Sequence, residues 1–319
     1  MRRHLHIRSI IEQIRSPILL AVVALTWSLA VPSAHGQEAS PTIYRLNPDG
    51  SYQQGCFPPC LCPVLQRTSV RGTFSLTFAG FDGLFENYTV TDVNWTVSQG
   101  DSELRVTGSG TYRVGGEFAL VEQLTLDLKV GDMPVQHFDS GLVVVGAASP
   151  NIRTSISLHG QYCFDTVFVV SASPVPAEQI HPYALTAESM FQRGCFPPCF
   201  CALWARPVSG TFALVDVQQT PLFSEFTVVD VDWLVDASSS GSPDIAIRGV
   251  GTYRVGGEVA SQQQLSLDLT VGDEDPAHFD SGVVPGGGDF PLINSQISIN
   301  GMRCFDTVID VHAGPRRNE

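Results

Sequence analysis

Leu124-Thr125-Leu126-Asp127-Leu128-Lys129-Val130 alternates apolar and polar side chains without a break. Successive side chains on a strand point to opposite faces, so this run reads as a strand with one buried and one wet face. The alternation returns further along the chain, with Leu265, Leu267, Leu269 and Val271 set against Ser266, Asp268 and Thr270. Working outward, Phe74, Leu76 and Phe78 alternate with Thr73, Ser75 and Thr77, and Ile156 and Leu158 with Ser155 and Ser157. Gly, Pro, Asp and Ser punctuate the runs, which marks turns rather than helical crossovers. One-sided alternation of this kind fits a sandwich or a small barrel.

One run changes parity. Tyr88 and Val90 are followed by Val93, Trp95 and Val97, and the later copy shows Phe226 and Val228 followed by Val231, Trp233 and Val235. Such a parity change needs an extra residue in the strand, so a β-bulge is predicted near Asp92 and Asp230, with each carboxylate accepting unpaired backbone N–H groups. Trp95 and Trp233 share their strand face with aliphatic neighbours and read as core.

The chain is one unit written twice. Gly55-Cys56-Phe57-Pro58-Pro59-Cys60-Leu61-Cys62 recurs as Gly194-Cys195-Phe196-Pro197-Pro198-Cys199-Phe200-Cys201. Gly110-Thr111-Tyr112-Arg113-Val114-Gly115-Gly116-Glu117 recurs unchanged at Gly251 to Glu258, and His137-Phe138-Asp139-Ser140-Gly141 as His278-Phe279-Asp280-Ser281-Gly282. A shift in offset places a three-residue insertion near Ser238-Ser239-Ser240-Gly241-Ser242. Two copies make a pair of domains, not a solenoid. The expected layout is a signal peptide at 1–36, one β domain at 42–172, a Pro-rich linker at 173–182 acting as a semi-rigid spacer, and a second β domain at 183–313. The fold class is therefore all-β: two tandem, disulfide-bonded antiparallel β-sandwich or small-barrel domains.

Arg2, Arg3, Arg8 and Arg15 precede an apolar run from Pro17 to Val31, and Ala34 and Gly36 follow as a small-residue cleavage site. That order is a secretory signal peptide, which predicts a secreted or periplasmic protein with no membrane attachment once it is cleaved. Lys plus Arg number 18 against 32 Asp plus Glu, a formal charge of −14. Nucleic-acid binding needs clustered cations, so it is excluded as a function class. A chain that is 43% hydrophobic and 16% charged is no disordered polyanion.

Eight cysteines and an export signal together predict disulfides. They are Cys56, Cys60, Cys62 and Cys163, then Cys195, Cys199, Cys201 and Cys304. Pairing Cys60 with Cys62 needs a strained small ring. Two schemes stay open: Cys56–Cys60 with Cys62–Cys163, which is favoured, or Cys56–Cys62 with Cys60–Cys163.

His137 with Asp139, and His278 with Asp280, are two apart and share a strand face. Such a pair suits a general base with its orienting carboxylate, or two metal ligands. The plainer reading is a His–Asp hydrogen bond that settles a strand end. Ser140 points the other way, so this segment alone supplies no Ser-His-Asp triad. Asp165 and Asp306 lie between apolar neighbours, so each carboxylate is expected to find a donor such as Arg113 or Arg254, or to shift its pKa upward. Asp132 with Asp139, and Asp273-Glu274-Asp275 with Asp280, are weak calcium candidates because no D-x-D-x-D-G loop is present. Asn87 and Asn94 head glycosylation sequons, the second of them inside a strand. Phosphate-loop, dinucleotide, G-x-S-x-G and H-E-x-x-H motifs are absent from the sequence. The functional expectation is an exported, non-enzymatic binding or surface module for a protein or surface ligand, with no cofactor. The alternatives are a β-barrel carrier of a small apolar ligand, or a hydrolase or metal enzyme using the His/Asp pairs.

Overall fold

The computed structural model describes residues 40–100, 102–236, 243–286 and 290–316. The export segment at 1–36 and the insertion near Ser238 to Ser242 lie outside the described residues. Ten strands form the first antiparallel sheet: β1 (Thr42–Leu46), β2 (Ser51–Cys56), β3 (Leu65–Phe81), β4 (Phe85–Gln99), β5 (Ser102–Gly115), β6 (Val121–Val130), β7 (Gln136–Asp139), β8 (Val143–Val144), β9 (Ile152–Ser157) and β10 (Phe164–Pro174). A 3-10 turn at Ala177–Gln179 leads to the second: β11 (Ile180–Leu185), β12 (Met190–Phe196), β13 (Leu203–Gln219), β14 (Phe223–Val235), β15 (Ile245–Gly256), β16 (Gln262–Val271), β17 (Ala277–Asp280), β18 (Val284–Pro285), β19 (Ile293–Ser298) and β20 (Cys304–Pro315).

Each sheet closes on itself. Pairing runs from β2 through β3, β4, β5, β6, β7 and β9 to β10, and β10 pairs back with β2. The second sheet closes the same way through β13 and β14. Of the two architectures expected from sequence, the small barrel is the one formed. Closure leaves no long unpaired edge to template aggregation.

The alternation sets the inside. Leu124, Leu126, Leu128 and Val130 of β6 are buried, whereas Asp127 and Lys129 are exposed. Trp95 sits 6.1 Å from Phe74 and 5.5 Å from Phe168, ring to ring, with Phe138 packed 5.3 Å from Phe168. Trp233 packs 6.0 Å from Phe212 in the second barrel. Aromatic and leucine side chains thus fill both interiors.

The parity change is a bulge in both barrels. The β4–β5 register slips between Val90 and Val93, and the β14–β15 register between Val228 and Val231. Asp92 and Asp230 take the left-handed conformation there, with φ of 54° and 52°, a region that Asp tolerates better than most residues. The Asp92 carboxylate accepts from the Thr91 hydroxyl at 2.9 Å instead of from backbone N–H groups.

All eight cysteines are paired. The bonds are Cys56–Cys62 with Cys60–Cys163, and Cys195–Cys201 with Cys199–Cys304. This corrects the pairing that sequence favoured. Phe57 N–H donates to the Cys163 carbonyl, which sets the chain after Cys56 beside β10 and brings Cys60, not Cys62, opposite Cys163. Four disulfides suit an oxidising, extracytoplasmic setting. Among the described residues no helix is long and apolar enough to cross a membrane.

The two barrels pack outer face to outer face in one compact unit. Ser173 and Pro174 belong to β10, Ile180 to Pro182 belong to β11, and Val175 is buried, so the Pro-rich stretch lies within packed structure. Ile43 and Val175 join Ala213, Val215 and Val229 in a small apolar cluster. Asn94 is buried in this seam and donates to the Gly251 carbonyl at 2.6 Å. The Asp92 and Asp230 bulges face each other closely enough for their charges to interact. Arg71, on the disulfide side of its bulge, binds Glu225 at 3.0 Å, on the far side of the other bulge. The barrels therefore run roughly antiparallel, with their disulfide loops toward opposite ends.

Candidate functional site

The β6–β7 hairpin decides which carboxylate meets which histidine. Register puts Asp127 directly across from His137, and Asp268 across from His278. His137 Nδ1 lies 2.8 Å from Asp127 Oδ1, and His278 Nδ1 2.8 Å from Asp268 Oδ1. The partners two residues away do something else. Asp139 accepts from Gln123 Nε2 at 2.9 Å, Thr125 Oγ1 at 3.2 Å and Gly141 N–H at 2.9 Å. Asp280 accepts from Gln264 and from Gly282 N–H. Desolvation pushes the Asp139 carboxyl up, but those donors outweigh it and hold it below the ordinary carboxylate value.

The two histidine sites differ. His137 and Asp127 are both well exposed. Asp268 is half-buried, because Arg105 reaches across the seam and sets its Nε 2.9 Å from Asp268 Oδ2. The same guanidinium donates to the Val250 carbonyl at 3.2 Å. Burial lowers the Arg105 pKa, opposed by the charges of Asp268 and Asp280. The fourth member is Ser266, two residues before Asp268 on the same strand face, whose Oγ lies 3.4 Å from His278 Nε2. Asp268, His278 and Ser266 thus form a hydrogen-bonded chain in the order acid, base, hydroxyl. The first barrel has Thr125 at this position, and its hydroxyl is spent on Asp139.

Arg105, Asp127, Asp268 and His278, with Lys129 and Asp132, line a cleft of about 700 Å³ between the barrels, and Ser266 lies beside it behind His278 rather than in its lining. The cleft holds no aromatic platform. Among the described residues no group of three or more metal-binding side chains converges. Glu274, one of the calcium candidates, is instead held by Arg193 at 2.6 Å, and that hydrogen bond lowers its pKa.

Other sequence candidates resolve as structure. Asp165 is buried and accepts from the backbone N–H groups of His159, Gln161 and Thr166, while Asp306 repeats this with Asn300, Met302 and Thr307. The expected arginines are elsewhere: Arg113 binds Gln123 and lies over Phe85, and Arg254 lies over Phe223. Ser140 caps its own turn, accepting from Leu124 N–H and donating to the Gly141 carbonyl. The Asn94 sequon is closed off by burial in the seam. Sequence reasoning missed Ser266 and Arg105. The repeated Leu-Asp-Leu of β6 and β16 was the available signal for the true carboxylates.

No protein-family model, curated protein or solved structure matches the chain. The fold class is nonetheless plain: a disulfide-bonded pair of closed antiparallel β-barrels, with a cleft and a histidine–carboxylate pair at their seam.

Proposed function

We propose that the chain is an exported interaction module that docks through its two disulfide-clamped loops. The observation that carries this reading is the state of Leu61 and Phe200, which are fully exposed at 101% and 100%. Each sits inside a ring closed over six residues, by Cys56–Cys62 or by Cys195–Cys201. Apolar side chains without cover cost solubility, and a rigid loop loses little entropy on binding, so such a tip suits a docking contact. Phe164 and Phe305, also exposed, flank the same loops across β2 and β12. The antiparallel barrels aim the two loops to opposite ends, which suits bridging two partners rather than gripping one surface at two points. The carrier alternative needs an empty interior, whereas Trp95, Phe74, Phe138 and Phe168 occupy it.

The test is a Leu61→Ser, Phe200→Ser double variant beside the wild type, with disulfides and fold checked by mass spectrometry and circular dichroism. Binding is read by sedimentation with phosphatidylcholine vesicles, with cell-envelope fractions of the producing host, and alone for self-association. The reading expects at least one association, lost in the variant. A wild type that stays monomeric and unbound in all three, or an association the variant retains in full, overturns it.

A further inference from the structure

We propose that Ser266 is an activated nucleophile, acylated by small activated esters, with His278 as its base and Asp268 and Arg105 as positioning residues. The inference stands apart from the docking loops, which lie at the barrel ends. It rests on four side chains from two barrels brought to one point.

The order of contacts fixes the proton positions. Asp268 Oδ1 lies 2.8 Å from His278 Nδ1 and Arg105 Nη1, a donor, lies 3.5 Å from the same nitrogen; the much shorter contact, to the carboxylate, holds the proton on Nδ1. Nε2 is then the free acceptor, and the Ser266 hydroxyl lies 3.4 Å from it. That separation is longer than a tight hydrogen bond and within what unliganded nucleophile–base pairs show. Asp268 is itself held by Arg105 at 2.9 Å, so the carboxylate is anchored on one oxygen and orients histidine with the other. The serine, the histidine and the carboxylate come from β16 and β17, and the anchor from β5 of the other barrel. The site is therefore incomplete without the seam.

The duplication supplies an internal control. His137 and Asp127 repeat the base and acid at 2.8 Å in the first barrel. Thr125 stands where Ser266 does, and it donates to Asp139 at 3.2 Å instead of facing the histidine. Among the described residues, the second barrel alone aims a hydroxyl at the free imidazole nitrogen.

In the reaction, Ser266 Oγ attacks the carbonyl carbon of the ester while its proton passes to His278 Nε2. The new Oγ–C bond forms, the C–O bond to the leaving alcohol breaks, and the imidazolium returns the proton to that oxygen. Water then attacks the acyl-serine, giving the carboxylic acid and restoring the hydroxyl. Neighbouring backbone N–H groups are used in the β15–β16–β17 ladder, so among the described residues no backbone oxyanion hole faces Ser266. Asp280 stands directly across from Ser266 and opposes negative charge there. Both features disfavour weak electrophiles and slow the water step. The substrate class is thus an ester with a good leaving group and a small acyl part, and the acyl-serine accumulates.

The experiment uses the full exported chain with its disulfides intact. p-Nitrophenyl acetate is expected to give a burst of about one equivalent of nitrophenolate followed by slow turnover. A fluorophosphonate probe should label one serine, placed at Ser266 by peptide mass spectrometry. Ser266→Ala and Ser266→Thr should abolish the burst and the label. His278→Gln should cut the labelling rate at least tenfold, and His137→Gln should leave it unchanged. Arg105→Lys should retain more of the rate than Arg105→Gln. Labelling that persists in folded Ser266→Ala, that is equal in urea-unfolded wild type, or that never exceeds the unfolded control overturns the proposal. Loss of labelling with loop-dependent docking intact counts against Ser266 alone. Loss of docking with labelling intact counts against the docking reading alone.

Discussion

Glu122 and Gln263 occupy the same place in the two barrels, and the difference has a measurable cost. Glu122 is 0% exposed and accepts from the Tyr112 hydroxyl at 2.9 Å and from Gly146 N–H at 3.2 Å. Gln263 accepts from the Tyr253 hydroxyl at 3.2 Å and donates Nε2 to the Asn294 carbonyl. Gln263→Glu would set a carboxylate oxygen against that carbonyl, replacing a donor with a buried acceptor. The expected loss is about 3 kcal/mol near neutral pH, read as a lower urea midpoint for the second barrel. The loss should shrink in acid, where the protonated carboxyl again donates to Asn294. An unchanged midpoint at pH 7 would contradict this account. Asp139 gives the opposite pH signature. Its folded pKa lies below the unfolded value, so its contribution is complete above about pH 4 and disappears as pH falls through the folded value. Asp139→Asn should flatten the acid limb of the stability curve, and a limb of unchanged slope would count against it.

The bulge shows how much of an element a period-two pattern reveals. Tyr88 and Val90 against Val93, Trp95 and Val97 required an inserted residue, and the register slips where the parity changes. Deleting Asp92 removes the extra residue and restores strict alternation, with Val90, Val93 and Trp95, which is 1% exposed, all kept on the core face. The first barrel should still fold with Trp95 in its core, and its near-ultraviolet circular dichroism should persist. Asp92→Gly keeps the residue count, suits φ of 54° and removes the charge facing Asp230. It should raise stability by about 1 kcal/mol. A deletion variant whose Trp95 becomes solvent-exposed, or a destabilised glycine variant, would refute this account of the bulge. What the pattern could not give is pairing across strands. The partner of His137 depends on the loop from Gly131 to Val135, which sets the β6–β7 register, not on spacing along β7. Ser266 was illegible for the same reason, since its contact with His278 crosses the equivalent β16–β17 hairpin of the second barrel. The cysteine connectivity likewise turned on where Phe57 docks beside β10.

The seam was invisible in the sequence because polar residues build much of it. Thr73, Ser75 and Asn94 alternate outward from the first barrel and read as a wet face, yet all three are buried. A polar face without curvature or charge gives no sign of whether water or another protein surface covers it. Each barrel keeps its own core and its own two disulfides, so residues 40–176 and 177–316 should each fold when exported separately. They should also find each other, because separation exposes Ile43, Ala213, Val215 and Val229 and leaves Arg71 without Glu225. Asn94 makes the sharper test, since its amide donates to the Gly251 carbonyl in the buried seam. Asn94→Asp replaces that donor with a carboxylate facing a carbonyl. At about 3 kcal/mol this weakens association on the order of a hundredfold, while the fold of the isolated first barrel is untouched because the side chain points away from its core. Mixing the two halves in an ultracentrifuge at rising concentration measures it. Halves that fold and never associate, or an Asn94→Asp half that binds as tightly as wild type, would mean the seam does not hold the barrels together.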